Sequence, residues 1–589
     1  MKRREFVVQT AAGTSALLLP FAAQTARAQS GAPAFIETGN TFAFGNQSIG
    51  ATFHIAQNHL AMVGLWDRVN GERIPLPGDL FSIALKDGTQ YACGEFTVTS
   101  GPAATPLSVQ PDSARRSSRI PGAQISVKLA HPSGALRVVW RAILRDGSHY
   151  LRQEIELEAI GKELALQSVT LLDFPFLPGA FTVGSTDGSP VVSGTLFLGV
   201  EHPLAQSDAI YDRASVRLPR NVPLRPGVPL SVSSVIGVTR AGALRRDFST
   251  YVERERAHPY RPFLHYNSWY DIGYFTRYDQ AQCLDRIHAF GTELHDKRGV
   301  TLSSFLFDDG WDDPSNLWSF NASFPDGFAA LKTAAAAYGA APGAWLSPWG
   351  GYGKPRADRL ASAKALGYEI NDDGLALSGP KYYKLFEDVV MGFITRGGVN
   401  QFKLDGTGNS NRFYPGSQFG SDFEAAIHLI ETARAAEPSI YVNLTTGTYP
   451  SPFWLQFCDS IWRGGEDHAF FGPGSQRQRW MTYRDADTYN GVVTQGPLYP
   501  LNSLMLHGLI YAEHAKHLGD DPQDDFRSEV RSYFGTGTQL QELYCTPALL
   551  SKGNWDDIAA AAKWSAANAD VLCDTRWVGG DPYRLDVYG

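Results

Sequence analysis

The chain is poor in cysteine, and beyond its first thirty residues it lacks both long apolar runs and runs of basic residues. Its five cysteines, Cys93, Cys283, Cys458, Cys545 and Cys573, are scattered over 589 residues. Such spacing excludes a zinc-type cluster and a dense disulfide framework; it predicts buried thiols and at most one bridge. No later run is apolar and long enough to span a bilayer, which predicts a soluble mature chain. The formal net charge of −8, without basic runs, argues against nucleic acid and anionic membrane as partners. A neutral substrate is compatible with it.

The first residues read as an address. Lys2-Arg3-Arg4-Glu5-Phe6 places paired arginines ahead of an apolar stretch with Leu17-Leu18-Leu19, and Ala26-Arg27-Ala28 supplies small residues for cleavage. This predicts a twin-arginine export signal over residues 1–28 and a periplasmic or secreted protein. The alternative, an amphipathic N-terminal helix, is disfavoured because the apolar part ends in Pro20 and a small-residue run. Cleavage removes four cations and one anion, leaving a charge of about −11.

The remaining length is too great for one core, so two or three domains are expected. From 31 to 255 the pattern is strand and turn. Leu136–Leu144 and Tyr150–Glu158 alternate apolar and polar residues, and Asp146-Gly147 and Asp187-Gly188 supply turns. This predicts an N-terminal antiparallel β-sandwich. Near Phe248 the pattern changes. Apolar runs at Phe263–Asn267, Ser303–Phe307, Gly343–Ser347, Gln401–Leu404, Ser439–Asn443 and Asp459–Trp462 alternate with helix candidates such as Gln280–Lys297, Gly327–Tyr338, Tyr382–Thr395 and Phe423–Ala436. Alternation of this kind requires a parallel sheet. Trp269, Asp308-Asp309, Trp349, Asp405 and Arg463 stand just after these runs, where barrel enzymes keep their working groups. A (β/α)8 barrel over 256–589 is therefore preferred to an open doubly wound sheet. Strands seven and eight are placed at Tyr499–Leu506 and Leu540–Tyr544, before a final helix candidate at Asp556–Leu572.

Three segments carry chemistry. In the first, a strand delivers Asp308 and Asp309 into a Gly310-Trp311 turn, and two adjacent carboxylates can accept from neighbouring sugar hydroxyls. Because Asp312 and Asp313 follow, a calcium or helix-cap cluster stays open on this segment alone. In the second, Lys403 and Asp405 point to one side of a strand. A neighbouring ammonium would keep Asp405 ionised as a nucleophile requires, and Gly406 would remove bulk where substrate approaches. A structural Lys–Asp pair is the alternative. In the third, Trp462-Arg463 leads into Gly464-Gly465-Glu466-Asp467, a loop able to lift a carboxyl over a ring, or else a surface turn. Together they fit a retaining glycosidase, which needs two carboxyls about 5–5.5 Å apart.

Phe307-Asp308-Asp309-Gly310-Trp311, Lys403-Leu404-Asp405-Gly406 and Trp462-Arg463 with Asp467 resemble signature segments of glycoside hydrolase families 27 and 36. These are the melibiase-like clan D group of α-galactosidases and α-N-acetylgalactosaminidases. The resemblance implies Asp405 as nucleophile and Asp467 as acid/base. It further implies substrate contacts from Trp269, Asp308, Asp309, Trp345, Lys403 and Arg463, with no metal or other cofactor. The substrate would be an oligosaccharide or glycoconjugate with a terminal α-galactosyl-type sugar. Tyr150–Glu156 and Leu198–Pro203 resemble the N-terminal β-domain of family 36. Two departures stand out. Asn443–Thr448 holds no acid where family 27 carries a glutamate near the sugar 2-position, which leaves room for a 2-acetamido group. Family 36 members also usually carry a C-terminal β-domain, so the chain is expected to end before one. An α-N-acetylgalactosaminidase, another α-glycosidase or a transglycosylase, and a non-catalytic carbohydrate-binding barrel remain as alternatives. A metal-dependent hydrolase built on Asp308, Asp309, Asp312 and Asp313 lacks a nearby histidine.

Overall fold

The protein is described here by a computed structural model covering residues 31–407 and 412–589. The predicted export signal lies outside the described residues. From Ala34 to Val238 the chain forms antiparallel strands in a five-stranded, an eight-stranded and a second five-stranded sheet around one apolar core. The period-two pattern does what it predicts. Leu136–Arg145 buries Val138, Trp140, Ala142 and Leu144 and pairs antiparallel with Tyr150–Ala159. The buried Trp140 indole donates to Gln153 Oε1 at 3.0 Å, so the inward face leaves neither group unsatisfied.

The helix Leu244–Glu255 makes the transition at the point where the sequence pattern changes. Its Phe248 and Tyr251 pack on Phe197 of the sandwich. Its last residue, Glu255, accepts from Tyr150 at 2.6 Å and Ser117 at 2.8 Å, bolting the helix to both strands and loop.

Eight parallel strands follow: β1 (Phe263–Asn267), β2 (Ser304–Phe307), β3 (Ala341–Leu346), β4 (Gln401–Leu404), β5 (Tyr441–Leu444), β6 (Ser460–Trp462), β7 (Leu504–Met505 with Leu509–Tyr511) and β8 (Leu540–Cys545). Each pairs with its neighbours in order, and β8 returns to β1. The seventh strand is broken, which corrects the predicted Tyr499–Leu506. Leu504–Met505 pairs with β6 and Leu509–Tyr511 pairs with β8. Between them His507 and Gly508 take positive φ of 62° and 43°, a kink that no continuous ladder permits. Because both halves belong to one short segment, the sheet closes into a barrel.

The outer ring is incomplete at one place. Between β5 and β6 the described residues form only a 3-10 turn, Pro452–Gln456, instead of a helix. The N-terminal domain docks there: Tyr449 donates to the Pro203 carbonyl at 2.8 Å and Ser451 to that of Gly188 at 3.1 Å. The sandwich thus covers the flank that a fifth helix would cover. All five cysteines are free thiols, and all but Cys573 are buried.

Candidate active site

A pocket of about 310 Å³ opens at the C-terminal ends of the barrel strands. It is lined by Trp269 after β1, Asp308 and Asp309 after β2, Trp345 on β3, Lys403 and Asp405 on and after β4, and Asp467 on the loop after β6. Seven of the eight sequence-predicted site residues meet there, from five different strands. The eighth, Arg463, does not.

Asp405 leaves β4 where the strand's inward side reaches the pocket. Its Oδ1 accepts from Thr445 at 2.5 Å, Tyr352 at 3.0 Å and Thr446 at 3.3 Å; its Oδ2 accepts from the Trp345 indole at 3.1 Å. The expected Lys403 partnership is corrected. Lys403 Nζ instead donates to Asp308 Oδ2 at 2.9 Å, across from β4 to β2. Burial would lower the lysine pKa, but Asp308, Asp405 and Asp467 outweigh it and raise it, so the ammonium stays charged. Asp405 therefore feels that cation at longer range and is positioned by neutral donors. The reason proposed for Gly406 is also corrected. With φ at 72°, a Cβ there would sit 2.1 Å from the Trp349 ring, so the glycine makes room for a tryptophan rather than for substrate.

Asp308 and Asp309 are both buried. Burial raises the pKa of each against a cationic partner, Lys403 for Asp308 and Arg359 for Asp309. Arg359, from the helix Gly353–Leu366, grips Asp309 and reaches Asp312 at 2.8 and 2.9 Å. Asp309 and Asp312 are thus held by a guanidinium and Asp308 by an ammonium, so each of the three has a cationic partner. The Arg359 guanidinium also stacks over Trp318 at 4.7 Å and Trp345 at 5.2 Å, linking the Asp309 support to the Asp405 support.

Asp467 stands on the loop after β6, with 55% of its side-chain surface accessible through the pocket mouth. The protein packed around it raises its pKa, with Asp405 adding to the rise and Lys403 opposing it. Its main chain is fixed from beneath. Arg463 donates to the carbonyls of Glu466 at 2.9 Å and Asp467 at 3.2 Å, and His507 Nδ1 lies 2.7 Å from the Asp467 carbonyl. A carbonyl only accepts, so His507 carries its proton on Nδ1; burial, with Lys403 and Arg463 nearby, keeps the ring neutral. Gly465 lets the loop turn: at φ 71° a Cβ would sit 1.7 Å from Asp487 Oδ2. Arg463 itself has no exposed side-chain surface and is engaged by Asp487 at 3.2 Å. Its predicted role as a substrate contact is replaced by a role holding the acid's loop.

Sequence reasoning placed the stretch holding Thr445 and Thr446 near the sugar without naming either as a site residue, and it missed Tyr352, Met505, His507 and Phe275; all six line the pocket. Tyr352 and Phe275 lie on loops, and His507 lies in the kink of β7. Only Thr445, directly beyond β5 and on the side of Asn443, could have been placed by periodicity.

No protein-family model matches the sequence, and no curated protein matches it. Solved structures do. The galactosidase domain of the α-galactosidase–sucrose kinase AgaSK superposes with a TM-score of 0.62 at 12% identity, covering 93% of this chain and 88% of its own. The family 36 α-galactosidase AgaB from Geobacillus stearothermophilus gives 0.61 at 12% identity, covering 94% and 88%. The α-galactosidase from Lactobacillus brevis gives 0.60 at 12% identity, covering 92% and 85%. The chain has the fold of family 36 α-galactosidases. At this identity the likeness is one of architecture, an N-terminal antiparallel β domain followed by a parallel barrel.

Proposed function

We propose that the chain is an exported, retaining exo-α-glycosidase of the clan that holds families 27 and 36, acting on terminal α-galactosyl-type residues. The observation that carries this reading is the convergence of Asp405 and Asp467, from β4 and the loop after β6, on one pocket, each in an environment suited to a different step. Three hydroxyls crowd Oδ1 of Asp405, whereas Oδ2 meets one indole N–H and keeps a lone pair for the anomeric carbon. The raised pKa of Asp467 favours the protonated form that the first step needs. Asp467 gives that proton to the departing glycosidic oxygen while Asp405 forms the glycosyl ester. Asp467 then takes a proton from water, which attacks the same carbon and frees Asp405, with the α configuration kept. Protons and one glycosyl group are all that move, so the reading calls for no cofactor.

Asp308, Asp309 and Trp269 would hold the sugar ring. In support, variants of the α-galactosidase AgaA from Geobacillus stearothermophilus, which share the fold at a TM-score of 0.58, have been crystallised with raffinose and with stachyose. Thr445 and Thr446 turn their hydroxyls to Asp405, and galactose is the sugar proposed. A panel of para-nitrophenyl α-glycosides, including galactoside, N-acetylgalactosaminide and glucoside, tests the reading, with the first product's anomeric form followed by NMR. Fastest turnover of the galactoside with α-galactose released first is expected. Binding without turnover on every member, or β-galactose first, would sink it. Export is tested by replacing Arg3 and Arg4 with lysine, which should leave the protein uncleaved in the cytoplasm.

A further inference from the structure

A second cavity of about 280 Å³ lies beside the catalytic pocket and shares two of its residues, Asp309 and Phe275. The shared wall is on the β2 side of the barrel. Asp467 stands on the loop after β6, half the ring away. Because the acid must reach the departing oxygen, the leaving group exits on its side. The second cavity therefore lies beyond the opposite end of the bound sugar.

The two shared residues differ in freedom. Asp309 is 4% exposed and held by Arg359. Phe275 is 51% exposed and rests edge-on against Trp269 at 5.0 Å, with Gly353 beneath its ring. Its backbone is unusual. Tyr274 and Phe275 have successive φ of 56° and 64°, a region that bulky residues seldom enter. Two such residues in a row persist only where surrounding contacts impose them, and Tyr274 is clamped in a parallel stack on His514 at 5.9 Å. The loop is built to hold the Phe275 ring between the two cavities.

We propose that Phe275 is the wall that restricts the pocket to an unsubstituted terminal sugar, and that the cavity behind it accepts a second pyranose once the ring is removed. The remaining lining suits a sugar: Pro314 and Pro355 offer apolar faces, and Arg277, Lys354 and Asp358 offer polar groups. This inference rests on the glycosidase reading above. The test compares aryl α-galactosides that are plain with ones carrying a glucosyl unit at O-4 or O-6. For Phe275→Ala, the ratio of kcat/KM on a substituted substrate to that on the plain one should rise at least about tenfold over wild type. Phe275→Tyr, which keeps the ring, should leave the ratio low. Phe275→Leu serves in the same way as Ala if that variant fails to fold. An unchanged ratio in a folded Ala or Leu variant, with the plain glycoside still turned over, overturns the wall alone. No turnover of the plain glycoside by wild type overturns the glycosidase reading, and the wall with it.

Discussion

Asp405 and Asp467 face one pocket, yet the first ends a buried strand beneath side-chain donors from Trp345, Tyr352, Thr445 and Thr446, while the second rides a glycine loop with 55% of its side chain open to solvent. The floor is made of strand ends and buried ions, Lys403 with Asp308 and Arg359 with Asp309. The rim is a loop whose main chain is fixed and whose carboxyl is not. On the proposed mechanism the nucleophile has to stay aimed through the cycle, which rigid donors favour. An acid/base has to exchange a proton twice with groups that come and go, which requires access to the pocket mouth and to water.

The contrast can be broken most forcefully at the floor. Asp405→Ala should lower kcat by on the order of 10⁴-fold or more, since no covalent intermediate can form, while azide partly restores turnover. Near wild-type rates would dismiss the nucleophile. At the rim, Asp467→Ala should cost about 10²–10⁴-fold on natural glycosides and clearly less on nitrophenyl ones, whose leaving groups need little protonation. Equal losses on both would remove its acid role. The two sides should also differ in stability. Lys403→Met leaves the Asp308 carboxylate buried without its partner, a loss of about 3–5 kcal/mol in urea unfolding. Asp467→Ala touches a half-exposed side chain and should leave the urea midpoint within error of wild type. Similar unfolding curves for the two variants would show that floor and rim are not built differently.

The sequence made the floor more legible than the rim. Strands β1 and β4 are read to the residue, because a strand buried on both faces is a short apolar run closed by turn chemistry. Period two put Lys403 and Asp405 on one side, and both do line the pocket. It could not show that the lysine's partner is Asp308, 95 residues earlier on another strand. Arg463 was misjudged where periodicity had an answer: Trp462 lines the pocket, so its successor points away. Phe275, Tyr352 and His507 had no such signal, since loop residues and a kinked strand carry no repeat that places a side chain. The missing helix after β5 was equally hidden. Its absence makes sense only once the sandwich is seen to cover that flank.

A further expected effect comes from beneath the floor. Glu542 on β8 is 1% exposed; its Oε1 accepts from Tyr544 at 2.9 Å, and the backbone N–H groups of Leu506 and His507 also act on the carboxyl. Burial pushes its pKa up from the ordinary value of 4.5 to about 7, with the Tyr544 hydroxyl, Lys403 and the backbone N–H groups of Leu506 and His507 opposing. Between those two values the unfolded chain has released this proton while the folded chain keeps it. Stability is thus fully present below pH 4.5 and declines as pH rises, by about 3 kcal/mol once pH passes 7. Glutamine at this position keeps the shape and the acceptor oxygen but does not titrate. Urea unfolding of Glu542→Gln should therefore lose less stability than wild type between pH 5 and pH 8, by about 2.5 kcal/mol. Other buried acids titrate alike in both proteins and cancel in the difference. Parallel pH profiles would mean that Glu542 ionises freely, and that the barrel interior under Lys403 is wetter than its burial implies.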